Sequence, residues 1–141
     1  MSFPPANHNP AIDPTGQQVR DLRDSRDNAP DGPIVMLNLL KFHAKARYPD
    51  GAGFAGTGAE AYARYQHNFT VTVGAISQAE VLFDGPVMRQ FIGGDADWDH
   101  MLIVRYPSCQ HFLAMMADQG YKAGLIHRYA ALERTTLLQC K

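Results

Sequence analysis

Apolar positions along the chain follow two rhythms. Between Ile34 and Phe42 both alternating sets are apolar, with Ile34, Met36, Leu40 and Phe42 on one and Val35, Leu37 and Leu39 on the other. A half-buried strand shows only one such set, so this pattern predicts a central strand covered on both faces. The stretch Trp98 to Tyr106 contains Met101-Leu-Ile-Val104 and stops before Pro107, which predicts a second interior strand. Between them the period changes. From a start near Gly58, Tyr62, Tyr65, Phe69 and Val73 recur at helical spacing, with Arg64 and His67 off that face. Glu80 to Asp84 and Val87 to Ile92 read as strand interrupted at Gly85-Pro86, where proline permits only an edge position or a bulge.

Turn and cap residues divide the rest. Four prolines with Asn7 and Asn9 in residues 1–14 predict a flexible N-terminal arm, leaving 15–141 as a single domain. Thr15 caps a helix over Gly16 to Asp27, which Asp31-Gly32-Pro33 ends. Residues 43–57, rich in Gly and Ala, read as a long loop of the kind that often serves a site. Ser108 caps a helix carrying Phe112, Met115 and Met116; it pauses near Asp118-Gln119-Gly120 and restarts as Tyr121 to Leu132. Arg134 to Gln139 forms the last strand. The order is an extra N-terminal helix followed by strand, helix, strand, strand, helix, strand. It predicts an α+β ferredoxin-like split βαβ sandwich, an antiparallel sheet with helices on one face. The other face is apolar too, so we expect a homodimer formed through sheet faces.

Composition narrows the partners. Thirteen Lys and Arg against 14 Asp and Glu give a net charge of −1, which supplies no field for nucleic acid or anionic lipid. No apolar run approaches the ~20 residues a membrane span needs. The N-terminal residues lack the charged and apolar regions of a signal peptide, so a cytoplasmic location is expected. Cys109 and Cys140 have no CxxC partner and read as reduced.

Most motifs have bland readings. Gly51-Ala-Gly53-Phe-Ala-Gly56 matches a dinucleotide-binding glycine pattern, but eight residues separate it from the strand that should lead into it, so it reads as loop. Asp95-Ala-Asp97-Trp-Asp99 opens like a calcium loop, yet Tyr106 stands where the twelfth-position acid belongs. The six histidines show no metal-binding spacing, and neither metal nor cofactor is expected. Three polar residues stand out because their neighbours point inward. Asn38 shares a strand face with Met36 and Leu40, so its amide needs partners inside the protein or in a ligand. At about 100° per residue, Arg128 falls within about 60° of Tyr121, Leu125 and Leu132, which places a guanidinium on an apolar helix face. Its partner is an internal carboxylate such as Glu133, or the acid group of a ligand. Tyr62 and Tyr65 face the same space, whereas His127 lies about 100° away from Arg128 around the helix.

These stretches together resemble a known family. Ile12-Asp-Pro-Thr15, Gly32-Pro-Ile-Val-Met-Leu-Asn-Leu-Leu-Lys-Phe42, Tyr48-Pro-Asp-Gly51, Gly58-Ala-Glu-Ala-Tyr-Ala-Arg-Tyr65, Trp98-Asp99, Val104-Arg-Tyr-Pro-Ser108 and His127-Arg128 are similar to the long form of the bacterial family called domain of unknown function 1330. The resemblance implies a dimeric α+β barrel, with a cavity between sheet and helices, and no established reaction. The wider superfamily includes cofactor-free monooxygenases, lactone isomerases and haem peroxidases, so chemistry does not transfer by fold. The residues suggest a small-molecule site of Asn38, Tyr62, Trp98 and Arg128 for substrate, with Tyr65 and His127 as catalytic candidates. A small organic acid or oxygenated aromatic compound, turned over by cofactor-free isomerase, lyase or monooxygenase chemistry, fits that set. The alternatives are a non-catalytic binding or dimerisation module, in which Arg128 pairs with Glu133 in a filled core, and haem binding through a histidine.

Overall fold

The computed structural model describes residues 8–28, 32–95 and 97–141. Four strands, β1 (Ile34–Phe42), β2 (Glu80–Pro86), β3 (His100–Tyr106) and β4 (Leu132–Cys140), form one antiparallel sheet in the order β2-β3-β1-β4. That is the ferredoxin-like order, and the two-sided apolar strands β1 and β3 occupy its centre. The helices are α1 (Gly16–Asn28), α2 (Gly58–Ser77), α3 (Cys109–Ala117), α4 (Gln119–Ala123) and α5 (Leu125–Ala131).

Local chemistry explains the ends. The Thr57 hydroxyl accepts from the Glu60 N–H at 3.1 Å while the Glu60 carboxylate accepts from the Thr57 N–H at 3.1 Å, a reciprocal cap that starts α2. Thr15 and Gln18 cap α1 in the same way, and the Ser108 hydroxyl accepts from the His111 N–H to start α3. The helix expected over Tyr121 to Leu132 is broken at Gly124. Asn68 of α2 inserts there, its Nδ2 donating to the Gly120 carbonyl at 3.1 Å in space that only a glycine leaves open.

Two other expectations need correction. Val87 to Ile92 is not strand. The Val87 N–H bonds to the Asp99 carbonyl at 3.0 Å, but the ladder with β3 ends at Pro86 opposite His100, and Val87 to Ile92 pair with no strand among the described residues. Met88, Phe91 and Ile92 stand exposed instead. Of the arm expected over 1–14, residues 1–7 lie outside the described residues, as does Asp31 of the turn after α1. Residues 8–14 form a compact turn, in which Asp13 N–H and Ile12 N–H both donate to the Asn9 carbonyl, and the Thr135 N–H of β4 ties it to the sheet. Ile12 and Asp13 are buried. The proline-rich spelling signalled a lack of regular structure, which does not prevent an irregular turn from packing on the core.

Cross-strand pairing fixes the two faces. Met36, Asn38 and Leu40 oppose Val104, Leu102 and His100 on the helix-covered face; Leu37 and Leu39 oppose Ile103 and Met101 on the other. The core under the helices is divided. One cluster is centred on Met36, Val73, Val104, Phe112, Met115 and Leu125, and the other on Leu40, Ala61, Tyr62, Ala130, Ala131 and Leu132. Tyr65, Leu102 and Tyr129 pack against both. On the far face Leu37, Leu39, Met101 and Ile103 are partly exposed and Leu138 is exposed, an apolar surface that no helix among the described residues covers. No helix among the described residues is long and apolar enough to cross a membrane.

Candidate functional site

Between the two core clusters lies a cavity of about 1060 Å³, bounded by the sheet, by α2 and α5, and by the turn at residues 8–14. Each element delivers a polar group to it. From β1, Asn38 donates through Nδ2 to the Leu102 carbonyl at 3.1 Å and the Met36 carbonyl at 3.3 Å, which leaves its Oδ1 without a donor among the described residues. From α2 come Tyr62 and Tyr65, and the Tyr65 hydroxyl shares a 2.8 Å hydrogen bond with that of Tyr121 in α4. Helix α5 supplies Arg128 and Tyr129.

Arg128 is the unusual member. Its side chain is 16% exposed, and among the described residues its only ion pair is with Asp13, whose side chain is 3% exposed, at 3.7 Å from Nη1 to Oδ1. That distance exceeds a hydrogen bond, and the guanidinium makes none among the described residues. A guanidinium carries five N–H donors, and burying one without hydrogen bonds is costly unless a partner meets it. Burial opposes its charge, but the surrounding phenols of Tyr65, Tyr121 and Tyr62 and the Asp13 carboxylate outweigh that, so its pKa is raised and the cation persists at all working pH. Burial also raises the phenols of Tyr62, Tyr65 and Tyr121 above the usual tyrosine range, so at neutral pH they are neutral O–H donors rather than bases. The Tyr129 hydroxyl is fully buried beside Asp13, and burial together with that carboxylate's charge pushes it up to about 12.

The structure thus brings together Asn38, Tyr62, Tyr65 and Arg128. It separates the other two residues from them. Trp98 lies on the opposite side of the sheet beside Leu39 and Met101, with the Arg134 guanidinium 4.4 Å from its ring centroid. The strand expected from Trp98 begins only at His100, so its alternation does not fix the face of residue 98. His127 points away from the cavity, as its helical angle indicated, and joins the 43–57 loop: its Nδ1 is 2.7 Å from the Tyr48 hydroxyl, which also accepts from Arg64 Nη1 at 3.0 Å, and Phe54 packs edge-on against its ring. The Glu133 partner considered for Arg128 is likewise not found; Glu133 is exposed and faces Arg134 at 3.9 Å.

Asp13, Tyr121 and Tyr129 were missed. Asp13 sits in a segment without periodicity, and the only sequence signal for it is the Ile12-Asp-Pro-Thr15 stretch. A further pair, Asp84 and His100, stands on the helix-covered face where Asp84 reaches the cavity; the His100 Nε2 is hydrogen-bonded to the Asp84 carboxylate, which also accepts from Gln66 at 3.3 Å. Its members lie 16 positions apart on paired strands, a distance no local motif bridges. No group of three or more His, Cys, Asp or Glu side chains suited to a metal ion occurs among the described residues.

The His127 cluster makes a pH prediction. Burial first, then the neighbouring Arg64 charge, lowers the His127 pKa below the ordinary 6.5, and burial does the same for His43. The unfolded chain therefore binds more protons in the window just below pH 6.5, so stability rises with pH through that window and is lost as pH falls. Thermal unfolding midpoints should drop between pH 7.5 and 5.5, and the drop should be smaller in His127→Gln; an equal drop in both proteins would assign the effect elsewhere.

No family model matches the chain, and no curated protein matches it. Solved structures do. It is similar to the RPA0582 protein of unknown function from Rhodopseudomonas palustris, at 37% identity with a TM-score of 0.80, covering 92% of this chain and 95% of that one. The methylated form of the RPA0582 protein gives 38% identity and a TM-score of 0.81 over 92% and 93% of the two chains. A DABB family protein with a ferredoxin-like fold from Mesorhizobium loti shares 9% identity at a TM-score of 0.51, covering 78% of this chain and 96% of that one, a likeness of fold alone. On identity sustained over nine-tenths of both sequences, the chain belongs to the family of the Rhodopseudomonas palustris RPA0582 protein.

Proposed function

We propose that this protein binds a small organic acid in the cavity between sheet and helices, with the acid's carboxylate held by Arg128. The observation that carries the reading is a mostly buried guanidinium that makes no hydrogen bond within the described chain and opens onto that cavity. Its planar fork of donors suits a carboxylate. The Tyr62 and Tyr65 rings, 5.2 Å apart, and Leu102 offer apolar surface to an aromatic or unsaturated body. Neutral phenols there can donate to a carbonyl or enolate oxygen, which is the contribution Tyr65 would make to cofactor-free isomerase- or lyase-type chemistry. His127 has no part in such a step within one protomer. The filled-core alternative expects an Arg128–Glu133 pair, and the Asp13 contact and the cavity past Tyr65 speak against it.

Titration calorimetry with phenylacetate tests the reading. Binding by the wild type and a loss of at least about tenfold in Arg128→Gln are expected, since a charged hydrogen-bonded pair contributes roughly 1.5–3 kcal/mol. No heat with the wild type, or equal affinity in the variant, would remove the assignment.

The same reading includes assembly. We infer that two copies pair through the uncovered sheet face, where Leu37, Leu39, Met101, Ile103 and Leu138 form one apolar surface. The sequence stretches favour the long form of the domain of unknown function 1330 family, whose members are dimeric α+β barrels. A glutamate at the centre of that face must be desolvated to pair, so Ile103→Glu should sediment at 15.6 kDa where the wild type sediments at twice that mass. A wild-type monomer, or an unaltered dimer in a folded Ile103→Glu, would contradict the pairing.

A further inference from the structure

The cavity is lined by two charged side chains, Asp13 and Arg128, whose hydrogen-bonding capacity is not filled among the described residues. Asp13 is held in place by its own turn: its N–H donates to the Asn9 carbonyl at 2.7 Å, and its Oδ2 accepts from the Asn9 N–H at 3.0 Å. Its Oδ1 faces Arg128 at 3.7 Å and accepts no hydrogen bond among the described residues. Arg128 makes no hydrogen bond through its N–H donors among the described residues. One fixed acceptor and one cationic donor therefore face the same cavity.

A plain carboxylate answers only part of this set. It can accept from Arg128, but it brings an anionic oxygen toward Asp13 Oδ1, which still lacks a donor. A carboxylate with a hydroxyl on the adjacent carbon answers both groups, because the hydroxyl donates to Asp13 while the carboxylate accepts from Arg128. An adjacent ammonium would also reach Asp13, but it would stand against the Arg128 cation. We propose, resting on the acid-binding reading, that the site selects α-hydroxy carboxylic acids with an aromatic or apolar substituent, and that Asp13 is the residue that reads the hydroxyl. The substituent lies along Tyr62, Tyr65 and Leu102, and Asp13 acts as a specificity residue, with no bond made or broken.

Calorimetry on the full chain with mandelate, phenylacetate and phenylglycine separates the possibilities, since the three differ only at the carbon beside the carboxylate. Mandelate should bind about tenfold or more tighter than phenylacetate, the effect of one charge-assisted hydrogen bond. In Asp13→Ala that preference should shrink to less than about threefold, with Asp13→Asn as the milder variant where alanine impairs folding. Equal wild-type affinity for mandelate and phenylacetate overturns the inference and leaves the acid site standing. Tighter binding of phenylglycine overturns it too, by showing that the group read is a cation. Absence of binding by every acid removes the acid-binding reading itself, and the inference with it.

Discussion

Gly58→Ala should unfold at a urea concentration well below the wild type, with a loss of about 3 kcal/mol, the upper range for forcing a methyl group into a packed contact. The reason is backbone. A β-carbon on Gly58 would lie 2.2 Å from the His43 carbonyl oxygen, 2.9 Å from the His43 nitrogen and 2.8 Å from the Ala131 carbonyl oxygen. None of these is a flexible side-chain end that can swing away. They also belong to a bonded relay in which the Gly58 N–H donates to the His43 carbonyl at 3.0 Å and the His43 N–H donates to the Ala131 carbonyl at 2.8 Å. Relief requires α2 to move off α5, along a seam where Ala61, Ala130 and Ala131 are fully buried, and the gain in helix propensity of up to about 1 kcal/mol does not offset that. Since α2 carries Tyr62 and Tyr65 and α5 carries Arg128, the same movement should weaken acid binding. Gly51→Ala is the control: its φ is +82° but nothing lies within 4 Å, so only the left-handed backbone penalty of roughly 1–2 kcal/mol is expected. Equal losses in the two variants would mean that the α2–α5 seam is not tight.

Arg128→Met should be as damaging for a different reason. It leaves the Asp13 carboxylate, 3% exposed, without its cation and with a single N–H donor, and breaking a buried pair from one side typically removes about 3–5 kcal/mol. Arg128→Met combined with Asp13→Asn should recover most of that stability, because no buried charge is left unpaired, while acid binding stays lost. A double-mutant cycle in urea denaturation, read beside calorimetry, separates the two effects. Failure of the double variant to recover would show that Arg128 stabilises through its packed stem rather than through charge.

Much of this architecture is spelled locally. Ile34 to Phe42 is apolar on both sides, and β1 has those bounds; Tyr62, Tyr65, Phe69 and Val73 share one side of α2, which packs inward. Ser108 and Thr15 announce helix starts through chemistry that acts over three residues. What was not legible depends on distant partners. Val87 to Ile92 has strand composition, but a strand needs a neighbour, and β3 starts too late to supply one. Gly124 interrupts a helix because Asn68, in another helix, takes its place. The candidate site divides along the same line. Asn38, Tyr62, Tyr65 and Arg128 each lie on a regular element whose period fixes a direction, and they meet. Trp98 lies outside the strand and faces elsewhere, while Asp13, which faces Arg128 at the cavity, is held by a turn that no periodicity reveals.

A crystal structure of the protein grown with 4-bromobenzoate addresses the acid site most directly, because bromine marks the ligand independently of any interpretation of shape. The expected result is a carboxylate within hydrogen-bond distance of the Arg128 guanidinium, with an anomalous bromine peak between the Tyr62 and Tyr65 rings and Leu102. An unoccupied cavity at saturating ligand, or bromine sites confined to the protein surface, would contradict the assignment of Arg128 as the anchor of an acid.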